Sequence, residues 1–323
     1  MRSARCHESI LSSRESKHSR TPRRPMSATE ERWPSLPWKE WEPTATTLHM
    51  WTQIVGKTRL ALVPLQAHWW NVALYVSPRG LTTEAMPTPQ GTLEIEFDFL
   101  EHQLRFRLSD GRDHLLALRP QTVAEFYASY LKCLQELGVQ VKIHPVPCEL
   151  KDPIPFAEDT IHASYDSEYV KRFWRILIST TAVFREFSSS FIGKVSPAHF
   201  FWGSFDLAVT RFSGRRAPER PGADAIQREA YSHEVISAGW WPGNGGFGEP
   251  AFYAYAAPVP GGLGQAKVSP AIAAYDNNLG EFIMKYEEFR REPSPDRALL
   301  EFLESTYVAA ANAAKWDRAA LER

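Results

Sequence analysis

Between residues 92 and 99, apolar and acidic residues alternate one for one: Leu93, Ile95 and Phe97 against Glu94, Glu96 and Asp98. A period of two puts successive side chains on opposite faces of a strand. Such a run suits an antiparallel sheet with one face on a core and the other in water, because strands of parallel sheets are buried on both faces. Its neighbours continue the pattern. Strands are predicted at 92–99, 103–108 and 114–118, with Asp110-Gly111 as a turn between the last two. A helix follows over 123–137, and Gly138 is placed to end it. Mostly antiparallel sheet flanked by helices is an α+β fold.

The same grammar runs through the rest of the chain. Residues 33–41, Trp-Pro-Ser-Leu-Pro-Trp-Lys-Glu-Trp, read as an aromatic arm too rich in proline for a helix. The hydroxyls of Thr44, Thr46 and Thr47 then offer N-caps for a helix to about residue 62, with Trp51, Ile54, Val55 and Leu62 on its apolar face. Residues 68–77 alternate as a strand. Residues 144–160, rich in proline, read as a connector between two halves, 33–143 and 161–323, packed as one globular unit. The second half opens with Asp166 or Ser167 as cap of a helix to Ile192, ended by Gly193. Strands at 205–212, 229–239 and 251–256, a loop at 213–226, a turn at 240–246, a loop at 258–270 and a closing helix at 299–316 complete it.

Composition bounds the partners. Of 323 residues 43% are hydrophobic and 23% charged, as in soluble globular proteins. Residues 1–26 carry seven basic and two acidic side chains, +5, leaving 30 basic against 36 acidic, −6, for the remainder. The stretch 1–32 therefore reads as a disordered Arg/Ser-rich tail, or an upstream extension before a start at Met26. A net charge of −1 implies neither nucleic acid nor an anionic membrane as partner. No apolar run is long enough for a membrane span. Cys6, Cys133 and Cys148 form no Cys-x-x-Cys pair, so neither a disulfide framework nor a thiolate zinc site is expected, and a reducing cytoplasm fits. No motif calls for a cofactor.

A local echo links the halves. Ile54-Val55-Gly56-Lys57 matches Phe191-Ile192-Gly193-Lys194, and the run from Trp70-Asn71 matches that from Phe205-Asp206. This suggests two similar helix–strands–helix halves in which Lys57 equals Lys194 and Asn71 equals Asp206, with a pocket at their junction.

The polar residues near that junction are the candidate site. His49, Gln53 and Lys57 recur every fourth residue and so share one helix face. Such a line either points donors at a ligand or is a solvated face. His68, Trp69, Asn71 and Trp202 could stack on and hydrogen-bond a ligand, or simply fill the core. Asp206, His233 and His199 are the residue types for acid–base work, with Asp206–His233 as a carboxylate–imidazole pair. Lys194, Arg211, Tyr231 and Glu234 extend the ligand-binding set. His233 and Glu234, adjacent on a strand, face opposite sides and cannot share a metal.

Over 33–323 the chain resembles an uncharacterised bacterial family, a domain of unknown function. The runs 47–62, 68–82, 97–99, 173–174, 191–216, 229–234 and 305–307 carry the resemblance, above all Gly-Lys-Val-Ser-Pro-x-His-Phe-Phe-Trp-Gly-Ser-Phe-Asp-Leu-Ala at 193–208. Ile236 and Trp240 depart from it. It implies a soluble protein and no particular activity. The function expected is therefore binding of, or catalysis on, a small molecule in a polar, aromatic pocket; the alternative is a structural or protein-interaction module.

Overall fold

The computed structural model describes residues 32–323, so all but the last residue of the expected tail lies outside the described residues. Helix α1 spans Trp38–Leu62 and starts six residues before the first threonine hydroxyl expected to cap it. Pro43 lies inside it. The Thr46 and Thr47 hydroxyls bond back to the carbonyls of Glu42 and Pro43 instead of capping. Tertiary packing outweighs the proline here. Trp41 is fully buried, stacks on Phe173 at 5.2 Å and donates Nε1–H to the Pro242 carbonyl at 3.1 Å.

The expected strand at 68–77 is mostly not a strand. Ala67–Val72 forms a 3₁₀ segment in which His68 and Trp69 take φ of +62° and +61°. Left-handed backbone is costly for side chains of this size and persists only where contacts fix it. His68 Nδ1 supplies such contacts, lying 3.2 Å from the carbonyls of Glu229 and Ala230. Regular pairing begins only at β1, Tyr75–Val76.

The first sheet adds β2 (Gly80–Thr82), β3 (Met86–Thr88), β4 (Gly91–Asp98), β5 (Gln103–Leu108) and β6 (Asp113–Ala117), in the order β1-β2-β4-β5-β6 with β3 also beside β4. All pairings are antiparallel, and Ile95 faces Phe106 across β4 and β5. Leu93, Ile95 and Phe97 are fully buried. They belong to a core shared with α1 and with α2, Val123–Glu136. A reciprocal Thr122–Glu125 capping box starts α2, and Phe126 stacks on Trp51 at 4.5 Å.

In the second half Asp166 caps α3, Ser167–Ser189, which stops three residues short of Ile192. Then come β7 (His199–Phe201), β8 (Asp206–Arg216), α4 (Ala225–Ala230), β9 (His233–Trp241), β10 (Ala251–Ala257), β11 (Ala273–Asp276), β12 (Glu281–Lys285), α5 (Tyr286–Phe289), α6 (Pro295–Ala313) and α7 (Arg318–Leu321). The sheet order is β7-β8-β9-β10-β12-β11. Glu229 belongs to α4, not to a strand, and Trp240 and Trp241 extend β9 instead of turning the chain. The β11–β12 hairpin was not foreseen. Helices α3 and α6 cover the inner face of this sheet. The two sheets meet at their edges, where Leu74 and Phe200 exchange backbone hydrogen bonds of 2.9 Å in both directions.

The fine repeat does not hold. Residues 54–57 lie mid-helix in α1, whereas 191–194 follow the end of α3; Asn71 sits in the 3₁₀ segment, whereas Asp206 opens β8. Among the described residues each half contains six strands, but their orders differ, and only the second half has a helix, α4, among its strands and α5 and α7 after them.

Candidate functional site

Helix α1 continues past Gly56, so His49, Gln53 and Lys57 do share one face, and all three are buried. Two of them are fully engaged. His49 Nε2 meets the Gly203 carbonyl at 2.9 Å, and burial pushes its pKa down to about 4. Gln53 clamps Cys148 from both sides, donating to its carbonyl and accepting from its N–H, each at 2.9 Å. They fasten α1 to the connector and to the β7–β8 turn. Trp202 is structural as well: its Nε1–H donates to the Val72 carbonyl at 2.7 Å, and its ring lies where a side chain on Gly56 would stand. Asn71 closes its own turn by accepting from the Gln66 N–H.

Arg211 points into the core. It is 1% exposed, bonds the Ser190 hydroxyl at 3.0 Å and lies against the rings of Phe187 and Tyr307, tying β8 to α3 and α6. Glu234 pairs with Arg215 at 2.6 Å. Asp206 and His233 do not form a pair. Asp206 lies opposite Phe201 at one end of β8, and His233 lies opposite Arg216 at the other. Ten residues of strand separate those ends, about 30 Å at the usual rise.

What the fold does assemble is the outer face of the second sheet, opposite α3 and α6. Antiparallel partners share a face, so His199 and Phe201 on β7 stand beside Ala208 and Asp206 on β8. Further along come Thr210 and Phe212, then Ser237 on β9, and Tyr253 and Tyr255 on β10. Gly239 leaves room for the Tyr253 ring to cross β9. The Tyr253 hydroxyl thereby donates to the Asp206 carboxylate, which also accepts from Ser204 at 2.5 Å. Trp241 stacks on Tyr253 at 4.7 Å. The Tyr255 and Tyr231 hydroxyls lie 2.9 Å apart, as do those of Thr210 and Ser237.

The two ends of this face differ in charge. At one end burial raises the pKa of Asp206, against the hydrogen bonds from Ser204 and Tyr253. Burial and the neighbouring Asp206 raise Glu281 to about 7. At the other end, near the junction with the first sheet, the groups are basic and aromatic. His199 is 1% exposed and sits between Trp70, Tyr75 and Phe201, with ring centroids at 5.4 to 5.5 Å. Its Nε2 is buried without a hydrogen-bond partner among the described residues. Burial, then Arg59, lowers its pKa to about 4, so the ring is neutral at pH 7. Arg59 is itself 4% exposed and lies over the Tyr75 ring at 5.3 Å; it donates from Nη1 to the Thr83 carbonyl and sets Nη2 3.9 Å from Glu84, and only its Nε lacks a partner among the described residues. Lys194 Nζ lies 5.0 Å from the ring centroids of both Trp70 and Phe212. His68 packs against Phe212 and His233, and burial followed by Lys194 depresses its pKa. Trp69 Nε1 also lacks a partner. Buried polar groups are normally satisfied; single orphans also occur elsewhere, at Trp51, His102, Trp240 and Tyr307, but here three lie near one another among aromatic rings.

Two surface depressions lie elsewhere. One of about 340 Å³ is walled by Arg105, Arg107 and Arg112 on the first sheet, and one of about 210 Å³ by Ala256, Pro258 and Trp316. The first holds arginines that are already paired. What distinguishes the aromatic face is the grouping of His199, Arg59 and Lys194 with aromatic rings, not concavity. No group of three or more His, Cys, Asp or Glu side chains with metal-binding geometry occurs among the described residues.

Sequence reasoning missed Arg59, Tyr75, Tyr253, Tyr255 and Glu281. The period-two placement of Tyr253 and Tyr255 was a usable signal; Glu281 lay in a strand not recognised.

The chain belongs to the DUF5996 family. The family model matches residues 33–323, and its description is a family of unknown function. The resemblance drawn from the sequence over those residues is thus a membership, and the family carries no activity to transfer. No match was found among curated proteins or among solved structures. No helix among the described residues is long and apolar enough to cross a membrane.

Proposed function

We propose that the protein binds a small, flat organic anion, of the aromatic carboxylate kind, on the outer face of the second sheet where the two sheets meet. One observation carries this reading: a fully buried, neutral imidazole, His199, whose Nε2 has no partner and whose neighbours are three aromatic rings. An unmet hydrogen bond at a buried group costs roughly 1–3 kcal/mol, which a ligand atom would recover. Lys194 and Arg59 supply positive charge for the carboxylate, and Trp70 and Phe212 supply flat apolar surface. Cytoplasmic residence belongs to the same reading, supported by the free thiols of Cys133 and Cys148.

Isothermal calorimetry against a panel of aromatic and aliphatic carboxylates tests it. Binding to the wild type and to Arg107→Ala, lost in His199→Ala and weakened in Lys194→Ala, is the expected pattern. Affinity indifferent to His199, or no binding anywhere in the panel, would sink the proposal.

A further inference from the structure

A second chemistry lies on α1, away from the aromatic face. Lys57 is 7% exposed, and its amine makes neither a hydrogen bond nor an ion pair among the described residues. Lysine is rarely buried without a partner, since its ammonium is strongly hydrated. The local sequence explains the placement. Gly56 admits the Trp202 ring against the helix, and Lys57 Nζ lies 5.6 Å from that ring's centroid. One turn earlier Gln53 grips Cys148, which sets a thiol beside the amine. The other polar groups of that helix face are already used: His49 on Gly203 and Gln53 on Cys148. Lys57 is the one left without a partner among the described residues.

We propose that Lys57 is a carbonyl-reactive amine that takes a small aldehyde or ketone as a Schiff base. The amine lone pair attacks the carbonyl carbon, and the proton leaving nitrogen passes to the carbonyl oxygen. The carbinolamine then loses water to leave the imine, so no oxidant or reductant enters. Burial lowers the Lys57 pKa, with the nearby Cys148 working the other way, which favours the neutral nucleophilic form. Burial likewise raises the Cys148 thiol, so it stays protonated and does not compete for the carbonyl.

The test is reductive trapping on the full chain. Propanal at limiting concentration with cyanoborohydride converts any imine to a stable secondary amine, which peptide mass spectrometry locates. The expected result is a propyl adduct on Lys57 severalfold above that on the exposed Lys39, Lys132 and Lys315. In Lys57→Arg that adduct disappears while the others stay unchanged. Labelling that follows exposure, with Lys57 at or below the surface lysines, would overturn the proposal. The wild-type profile decides this even if Lys57→Arg fails to fold.

Discussion

The outer faces of the two sheets are built from the same alternation and do opposite things with it. On the first sheet each of the three β4 carboxylates, Glu94, Glu96 and Asp98, has an arginine. Asp98 is fully buried and takes Arg79 Nε at 2.6 Å, Arg105 Nε at 2.8 Å and the N–H groups of Leu100 and Glu101. Burial alone would raise its pKa; those bonds more than reverse this and hold it below the usual carboxylate range. Arg107 bridges Glu94 at 3.1 Å and Glu96 at 2.7 Å. On the second sheet the equivalent face carries Asp206 and Glu281, with raised pKa values and neither paired to an arginine among the described residues, and His199 with an unused nitrogen. A closed set of ion pairs has nothing left to offer a ligand. A face with unpaired donors and acceptors between aromatic rings does.

That contrast breaks most visibly at Asp98. Replacing it with alanine leaves two part-exposed arginines facing each other and strips the Leu100 and Glu101 N–H groups of their acceptor, a loss of about 1–3 kcal/mol. Urea denaturation should show it, whereas Asp206→Asn should change the midpoint little, because its carboxyl is already pushed toward the neutral form. Equal losses at both sites would erase the distinction between the faces.

Acid should act through His199 and, by the same burial, through His49; His199 is the one on the proposed face. In the fold its pKa is about 4, against about 6.5 for a free imidazole. Above pH 6.5 neither state is protonated and nothing is lost. Between 6.5 and 4 the unfolded chain binds a proton that the fold refuses, so stability falls as pH falls, by up to about 3 kcal/mol. His199→Gln should flatten the acid limb of the stability curve measured from pH 7 to 4.5; an unchanged slope would argue against a buried neutral ring.

Glu281 has the opposite sign. Its folded pKa near 7 lies above the free value of 4.5. The fold therefore loses stability as pH rises from 4.5 through 7. Glu281→Gln should be more stable than wild type at pH 8 and no different at pH 4.5, as read from thermal unfolding. The smallest effect belongs to Arg107→Ala. Its guanidinium is 43% exposed, and pairs of that kind contribute roughly 0–1 kcal/mol. A larger loss would mean the first face is more cooperative than pairwise bonds imply.

The first sheet was legible because its information is local. The 92–118 alternation and Asp110-Gly111 fixed strands, turn and buried face, and β5 appeared at 103–108 as predicted. Helix α2 and the left-handed Gly138 after it were likewise written nearby. The failures are tertiary. The 3₁₀ segment at His68-Trp69 depends on carbonyls some 160 residues away. The early start of α1 depends on Trp41 reaching Phe173 and Pro242. His199, Asp206 and Lys194 were named only as lining of a pocket between the halves, and that Asp206 and His233 lie at opposite ends of β8 could not be seen without strand register. Asp206 took Tyr253 instead, through the gap at Gly239.

The most direct measurement is histidine-selective ¹⁵N NMR during titration with an aromatic carboxylate that binds by calorimetry. The account predicts that the His199 and His68 imidazole signals move together as the ligand fills the face, while His102 and His114 in the first half stay put. Shifts confined to His102 and His114, or spread evenly over all the imidazoles, would contradict it.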